Sequence, residues 1–96
     1  MNNESDVNEA GQDSGRTVVV YGTRWCGATQ FVRRYLDRNN VAHTFRDIDR
    51  DSEAADQVRW WTGGNLSHPT VKIASDILVE PLSNEIQSAL EKNNLV

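Results

Sequence analysis

The chain has a single cysteine, Cys26, and two prolines, Pro69 and Pro81. One thiol cannot close a disulfide within the chain, so a cross-linked architecture is excluded, and a reducing cytoplasm is the expected setting. No apolar run approaches the roughly 18–20 residues that a membrane span needs. The first residues lack a basic segment followed by an apolar one, so no secretory signal is expected. Lys and Arg form no cluster of the kind a nucleic-acid surface requires, and neither nucleic acid nor membrane is an expected partner. One Cys and two His at irregular spacing match no zinc pattern, so no metal site is expected.

What remains fits one small domain. A chain of 96 residues has room for a single modest core, and 38% hydrophobic with 25% charged residues suits a globular protein. The net charge of −4 is placed unevenly. Residues 1–15 hold Glu4, Asp6, Glu9 and Asp13 without a Lys or Arg, while the remainder is formally neutral. With only Met1, Val7 and Ala10 as apolar side chains, that segment reads as a disordered acidic tail ahead of a domain over 16–96.

The pattern after the tail alternates between strand and helix. Thr17–Tyr21 is a β-branched run that reads as a strand buried on both faces. Ala28, Phe31, Val32, Tyr35 and Leu36 then form one stripe of a helix that Asn39-Asn40 closes. His43 to Ile48 is assigned as a strand by position, because strand, helix and strand over about 30 residues make a βαβ unit. Asp51 is placed to cap a second helix, with Glu53 in its first turn and Ala54, Ala55, Val58 and Trp61 inward. Trp60 falls off that stripe and is expected at the surface. Gly63-Gly64-Asn65 ends this helix. Thr70–Ile73 and Ile77–Val79, joined by Ala74-Ser75-Asp76, read as a hairpin. Ser83 is placed to cap a last helix that buries Leu82, Ile86, Ala89 and Leu90. The order βαβ-α-ββ-α gives an α/β fold, a four-stranded mixed sheet flanked by helices, in a layout similar to thioredoxin.

Cys26 follows a buried strand at the start of a helix, where free N–H groups and the helix dipole favour negative charge. Such placement lowers a thiol from its usual value near ~8.5. Arg24 is two residues away, and no carboxylate occurs between 17 and 36. Thr29, three residues on, is placed to donate its hydroxyl to the sulfur, but cannot resolve a disulfide. The site is therefore limited to one-thiol chemistry. His43 has no evident partner and no assigned role.

The run Tyr21-Gly22-Thr23-Arg24-Trp25-Cys26-Gly27-Ala28-Thr29 resembles the active-site loop of glutaredoxin-like proteins. It is similar in particular to the mycoredoxin-type branch with its W-C-G-x-C signature. Asp47-Ile48-Asp49, Gly63-Gly64-Asn65, Pro69-Thr70-Val71 and Glu80-Pro81-Leu82-Ser83-Asn84 extend the resemblance to about residue 92. The resemblance implies a thioredoxin-like fold in which Cys26 is the nucleophile, exchanging mixed disulfides between proteins and a low-molecular-weight thiol. That co-substrate would be glutathione, mycothiol or bacillithiol, with thiolated client proteins as partners, a monomeric protein and no tightly bound cofactor. Pro69 would be a cis-proline facing Cys26, His68 would offer its backbone N–H and C=O to the bound thiol, and Ser83 and Asn84 would receive its carboxylate. Arg24, Trp25 and Thr29 complete the expected binding set. Two departures stand out: Thr29 replaces the second cysteine of dithiol members, and His68 stands where the branch carries Val.

Two other readings are consistent with the same residues. A thiol-ligated dimer carrying a [2Fe–2S] cluster would use one cysteine per chain with external thiols, and Cys26-Gly27-Ala28-Thr29 faintly resembles the C-G-F-S loop of such carriers. The loop lysine of that group is missing. Alternatively, a binding module would hold a thiol or peptide around Trp25, His68 and Pro69 without turnover.

Overall fold

A computed structural model describes residues 17–96. The expected acidic tail, and with it the start of the domain at residue 16, lies outside the described residues. The elements are β1 (Val18–Gly22), α1 (Gly27–Arg38), β2 (Thr44–Asp47), α2 (Ser52–Thr62), β3 (Thr70–Ile73), β4 (Asp76–Val79) and α3 (Ser83–Lys92). They form one four-stranded sheet in the order β2-β1-β3-β4. The β1–β2 pair is parallel, whereas β1–β3 and β3–β4 are antiparallel. The mixed α/β sheet expected from the sequence is the one observed.

Strand alternation sends β1 side chains to two separate cores. Val18 and Val20 join Val71 and Ile73 of β3, against Val32 and Leu36 of α1 and Ile86, Ala89 and Leu90 of α3. Val19 and Tyr21 face the other way, onto Ala54, Ala55 and Val58 of α2. Trp61 closes this second core with its ring edge-on to Tyr21, centroids 5.2 Å apart, while Trp60 is exposed, both as its stripe requires. Tyr35 Oη donates to Gln87 Oε1 at 2.7 Å and links α1 to α3.

Several local expectations are corrected. Ala28 and Phe31 do not face the core: Thr29, Val32 and Leu36 are the buried residues of α1. The buried stripe is rotated by about one residue because α1 lies directly over Gly22, and only a side chain at 29 reaches that spot. β2 begins at Thr44, since His43 is held outside the strand, its Nδ1 2.8 Å from Val41 O and its Nε2 3.7 Å from Asp37. Asp76 belongs to β4, paired with Ile73, so the hairpin turn is Ala74-Ser75 alone, with Ala74 at φ 56°. Leu82, not Ser83, is the N-cap of α3, and Leu82 is 67% exposed rather than buried. Lacking a side-chain acceptor, Leu82 is served instead by Glu85, whose carboxylate accepts from the Leu82 N–H at 2.7 Å.

Candidate active site

β1 delivers the chain to the end of the sheet, and α1 begins after four intervening residues. Gly22 permits this: a Cβ there would run into the Thr29 side chain, so helix and strand touch without an intervening group. The connecting turn is fixed by Cys26 N–H donating to Thr23 O at 3.3 Å and by Gln30 Nε2 donating to Arg24 O at 3.0 Å. Cys26 is the N-cap of α1, with extended backbone angles and no acidic residue in the first turn. Its sulfur therefore faces N–H groups that no carboxylate has claimed.

The thiol responds to this setting. Partial burial pushes it up, but the Thr29 hydroxyl and N–H, the His68 side chain and the Ala28 N–H together bring it down from 9.0 to about 7. Thr29 Oγ1 is buried and completes no other hydrogen bond among the described residues, so its proton is free for the sulfur. The sulfur makes no short capping bond to the helix backbone; the amides act on it at longer range, as dipoles do. Near neutral pH a large share of Cys26 is thiolate, the nucleophilic form.

Arg24 and Trp25 are turned towards the end of β2. The parallel register sets Gly22 beside Asp47. Asp47 accepts an ion pair from Arg24 Nε at 3.6 Å, and Asp49 Oδ2 accepts from Trp25 Nε1 at 2.7 Å. Carboxylates absent from the local sequence are thus supplied by the neighbouring strand end, and the Arg24 charge is matched by Asp47. Local sequence gives Asp47 and Asp49 no role, although the βαβ reading places the end of one parallel strand beside the other. Trp25 is 72% exposed and meets the His68 ring edge-on at 5.4 Å.

The His68–Pro69 peptide bond is cis, as the resemblance implies. It brings the His68 side chain to the start of α1, where it acts on Cys26. Beside it lies a groove of about 320 Å³ lined by Ala28, Phe31, His68, Pro69, Glu80 and Leu82 among others. Phe31 and Leu82, expected in the core, are instead exposed walls of this groove. Their absence from the binding set has a simple cause: apolar periodicity cannot distinguish a core stripe from a binding face that adjoins it.

Ser83 and Asn84 occupy the first turn of α3, where backbone N–H groups lack helical partners. Glu85 already places a carboxylate at this end. Asn84 lines a separate hollow of about 450 Å³ with Asp76, Leu78, Ser88 and Lys92, which includes none of Cys26, His68 and Pro69. The structure thus gathers Cys26, Thr29, Trp25, His68 and Pro69 into one site, while Asn84, in the first turn of α3, also lines the second hollow. Among the described residues there is no group of three or more His, Cys, Asp or Glu that would hold a metal, and no helix long and apolar enough to cross a membrane.

A thiolate-favouring helix start, a cis-proline loop opposite it and a four-stranded mixed sheet define a thioredoxin-fold protein. Solved structures agree: a thioredoxin-like protein superposes with a TM-score of 0.70 at 26% identity, over 77% of this chain and 100% of its own. A glutaredoxin from Archaeoglobus fulgidus gives 0.68 at 19% identity, over 78% of this chain and 86% of its own. A buckwheat glutaredoxin solved in complex with glutathione gives 0.65 at 17%, over 82% and 80%. The glutaredoxin family model matches residues 18–78. A Mycobacterium tuberculosis protein assigned as a glutaredoxin, found in two strains, is 34% identical over 76 residues, 78% of this chain and 90% of its own length. The chain belongs to the glutaredoxin family and is a glutaredoxin-like thiol oxidoreductase.

Proposed function

We propose that this protein is a monothiol glutaredoxin of the mycoredoxin-like type, acting on mixed disulfides between proteins and a low-molecular-weight thiol. The observation that carries the reading is the chemistry of α1's first turn: Cys26 is the one sulfur nucleophile in the sequence, and a buried threonine fills the position a resolving cysteine would need. The Cys26 thiolate attacks the small-thiol sulfur of a protein–S–S–(small thiol) bond. The protein leaves as thiolate and takes up a proton, and the small thiol stays on Cys26 as a mixed disulfide. A second small-thiol thiolate then attacks the small-thiol sulfur of that bond, releasing the symmetric small-thiol disulfide and the Cys26 thiolate. Electrons balance without a second protein cysteine.

The remaining residues have roles in binding. The His68 and Pro69 backbone would pair with the bound thiol while Ala28, Phe31 and Leu82 cover its apolar parts. Trp25, held by Asp49, would close one side of the bound thiol. Arg24 and the N–H groups of Ser83 and Asn84 would meet the thiol's polar groups. Glutathione, mycothiol and bacillithiol are the candidate co-substrates, and thiolated client proteins the partners. Mass spectrometry after incubation with each oxidised small thiol tests the reading. A stable single adduct on Cys26, removed by the matching reduced thiol, is expected with at least one of them; no adduct with any of the three would refute it.

A further inference from the structure

His68 is more than a carrier of the cis-proline backbone. Its Nδ1 is shielded from solvent and has no hydrogen-bond partner among the described residues. A buried imidazole nitrogen left open is destabilising unless something completes its hydrogen bond. The ring adjoins the sulfur on one side and the groove on the other, because His68 both acts on Cys26 and lines the groove wall. Trp25 packs edge-on against it and limits its rotation.

The charged groups around the ring leave that nitrogen to the reaction. Cys26, at the N-cap of α1, is the thiol the ring acts on, and Glu80, from the segment between β4 and α3, lines the same groove. Arg24 is paired with Asp47, and Asp49 is held by Trp25 Nε1. Thr29, on the α1 side, has a hydroxyl that can only donate usefully to the thiolate. It cannot give a proton to a departing thiolate at neutral pH, whereas an imidazolium can.

We propose that His68 is a catalytic acid–base partner of Cys26, its imidazole taking the thiol proton and delivering it to the sulfur that leaves. The inference rests on the activity proposed above. In the first step Cys26–SH gives its proton to the His68 ring. The thiolate then attacks the mixed disulfide, forming the bond from Cys26 Sγ to the small-thiol sulfur and breaking the protein–sulfur bond. The imidazolium passes its proton to the departing thiolate, which leaves as a neutral thiol. Proton and electron pair are both accounted for, and the open nitrogen finds its missing partner in the substrate.

The test compares two mixed disulfides of one small thiol, one releasing an alkyl thiol and the other a strongly acidic aromatic thiol that needs no proton to leave. Wild type, His68→Phe and His68→Gln are assayed on both, with far-ultraviolet circular dichroism confirming that each variant is folded. Removal of the imidazole is expected to lower kcat/KM about 100-fold for the alkyl leaving group and less than about threefold for the aromatic one. An equal loss on both substrates, or no loss on either, overturns the proposal. Should both variants misfold, NMR of the wild-type ring decides: its resonances are expected to shift with the Cys26 ionisation near about 7 and to lose that inflection in Cys26→Ser. Identical titrations in the two proteins overturn the proposal. If wild type turns over neither disulfide, the activity reading falls by itself, and the ring titration still tells whether His68 exchanges its proton with Cys26.

Discussion

Helices α1 and α2 both begin where a strand of the parallel pair ends, at the same end of the sheet, yet their first turns are built for opposite purposes. At α2, Asp51 accepts from the Ala54 N–H at 3.1 Å, its carboxylate is gripped by Arg46 at 2.6 and 3.0 Å, and Glu53 adds a second acid. At α1 no side chain closes a capping bond and no acid is present in the first turn. One helix directs its free N–H groups to a permanent charge and gains stability. The other holds them for a charge that appears only when Cys26 ionises. The same physics therefore stabilises the fold at α2 and sets reactivity at α1.

The sharpest way to break this contrast is Cys26→Asp, which gives α1 the kind of cap that α2 has. Turnover of mixed disulfides should vanish, while stability to chemical denaturation rises by about 1 kcal/mol. A loss of stability would show that α1's first turn does not favour negative charge. Gly22→Ala attacks the contact that seats α1 on β1. The new methyl meets the Thr29 side chain and should cost about 1–3 kcal/mol, with thiol reactivity disturbed as the helix shifts. An unchanged denaturation midpoint would contradict the close approach.

The sequence shows why the two ends differ in legibility. Asp51, Glu53 and the Gly63 stop spell out α2 in local terms, and all three take their expected places, Gly63 with φ 78°. Cys26 was legible for the same reason, as the residue between a strand and a helical stripe. Asp47 and Asp49 were not, because their contacts to Arg24 and Trp25 depend on strand register, which periodicity does not encode. Phe31 and Leu82 read as core residues because an apolar side chain on a groove wall has the same spacing signature as one in a core. Thr29 and its neighbour Ala28 exchanged roles through the closeness of Gly22, a packing fact with no local signal beyond the glycine itself.

Smaller effects refine the contrast. Asp51→Ala should lower Tm by a few degrees and leave thiol reactivity unchanged. The Arg46 guanidinium, then the Ala54 N–H, holds the Asp51 carboxyl below its ordinary 3.8. The folded state thus prefers the carboxylate, and this stabilisation is full above the ordinary value and lost as pH falls below it through the lower folded-state value. Acid unfolding of Asp51→Ala should therefore lose that part of its pH dependence, whereas an acid limb identical to wild type would show that the pair contributes nothing. Least disruptive is Thr29→Val, which removes a buried hydroxyl with no completed hydrogen bond. Stability should hold or rise by up to about 1 kcal/mol, while the Cys26 ionisation moves up from about 7. A thiol that ionises as before would remove Thr29 from the account.

Substantial ionisation of Cys26 at neutral pH follows from α1's uncapped first turn together with Thr29 and His68. Its most direct measurement is the rate of Cys26 alkylation by iodoacetamide as a function of pH, on the reduced full chain. A single inflection near about 7 is the predicted result. An inflection at the unperturbed value of 9.0 would contradict it.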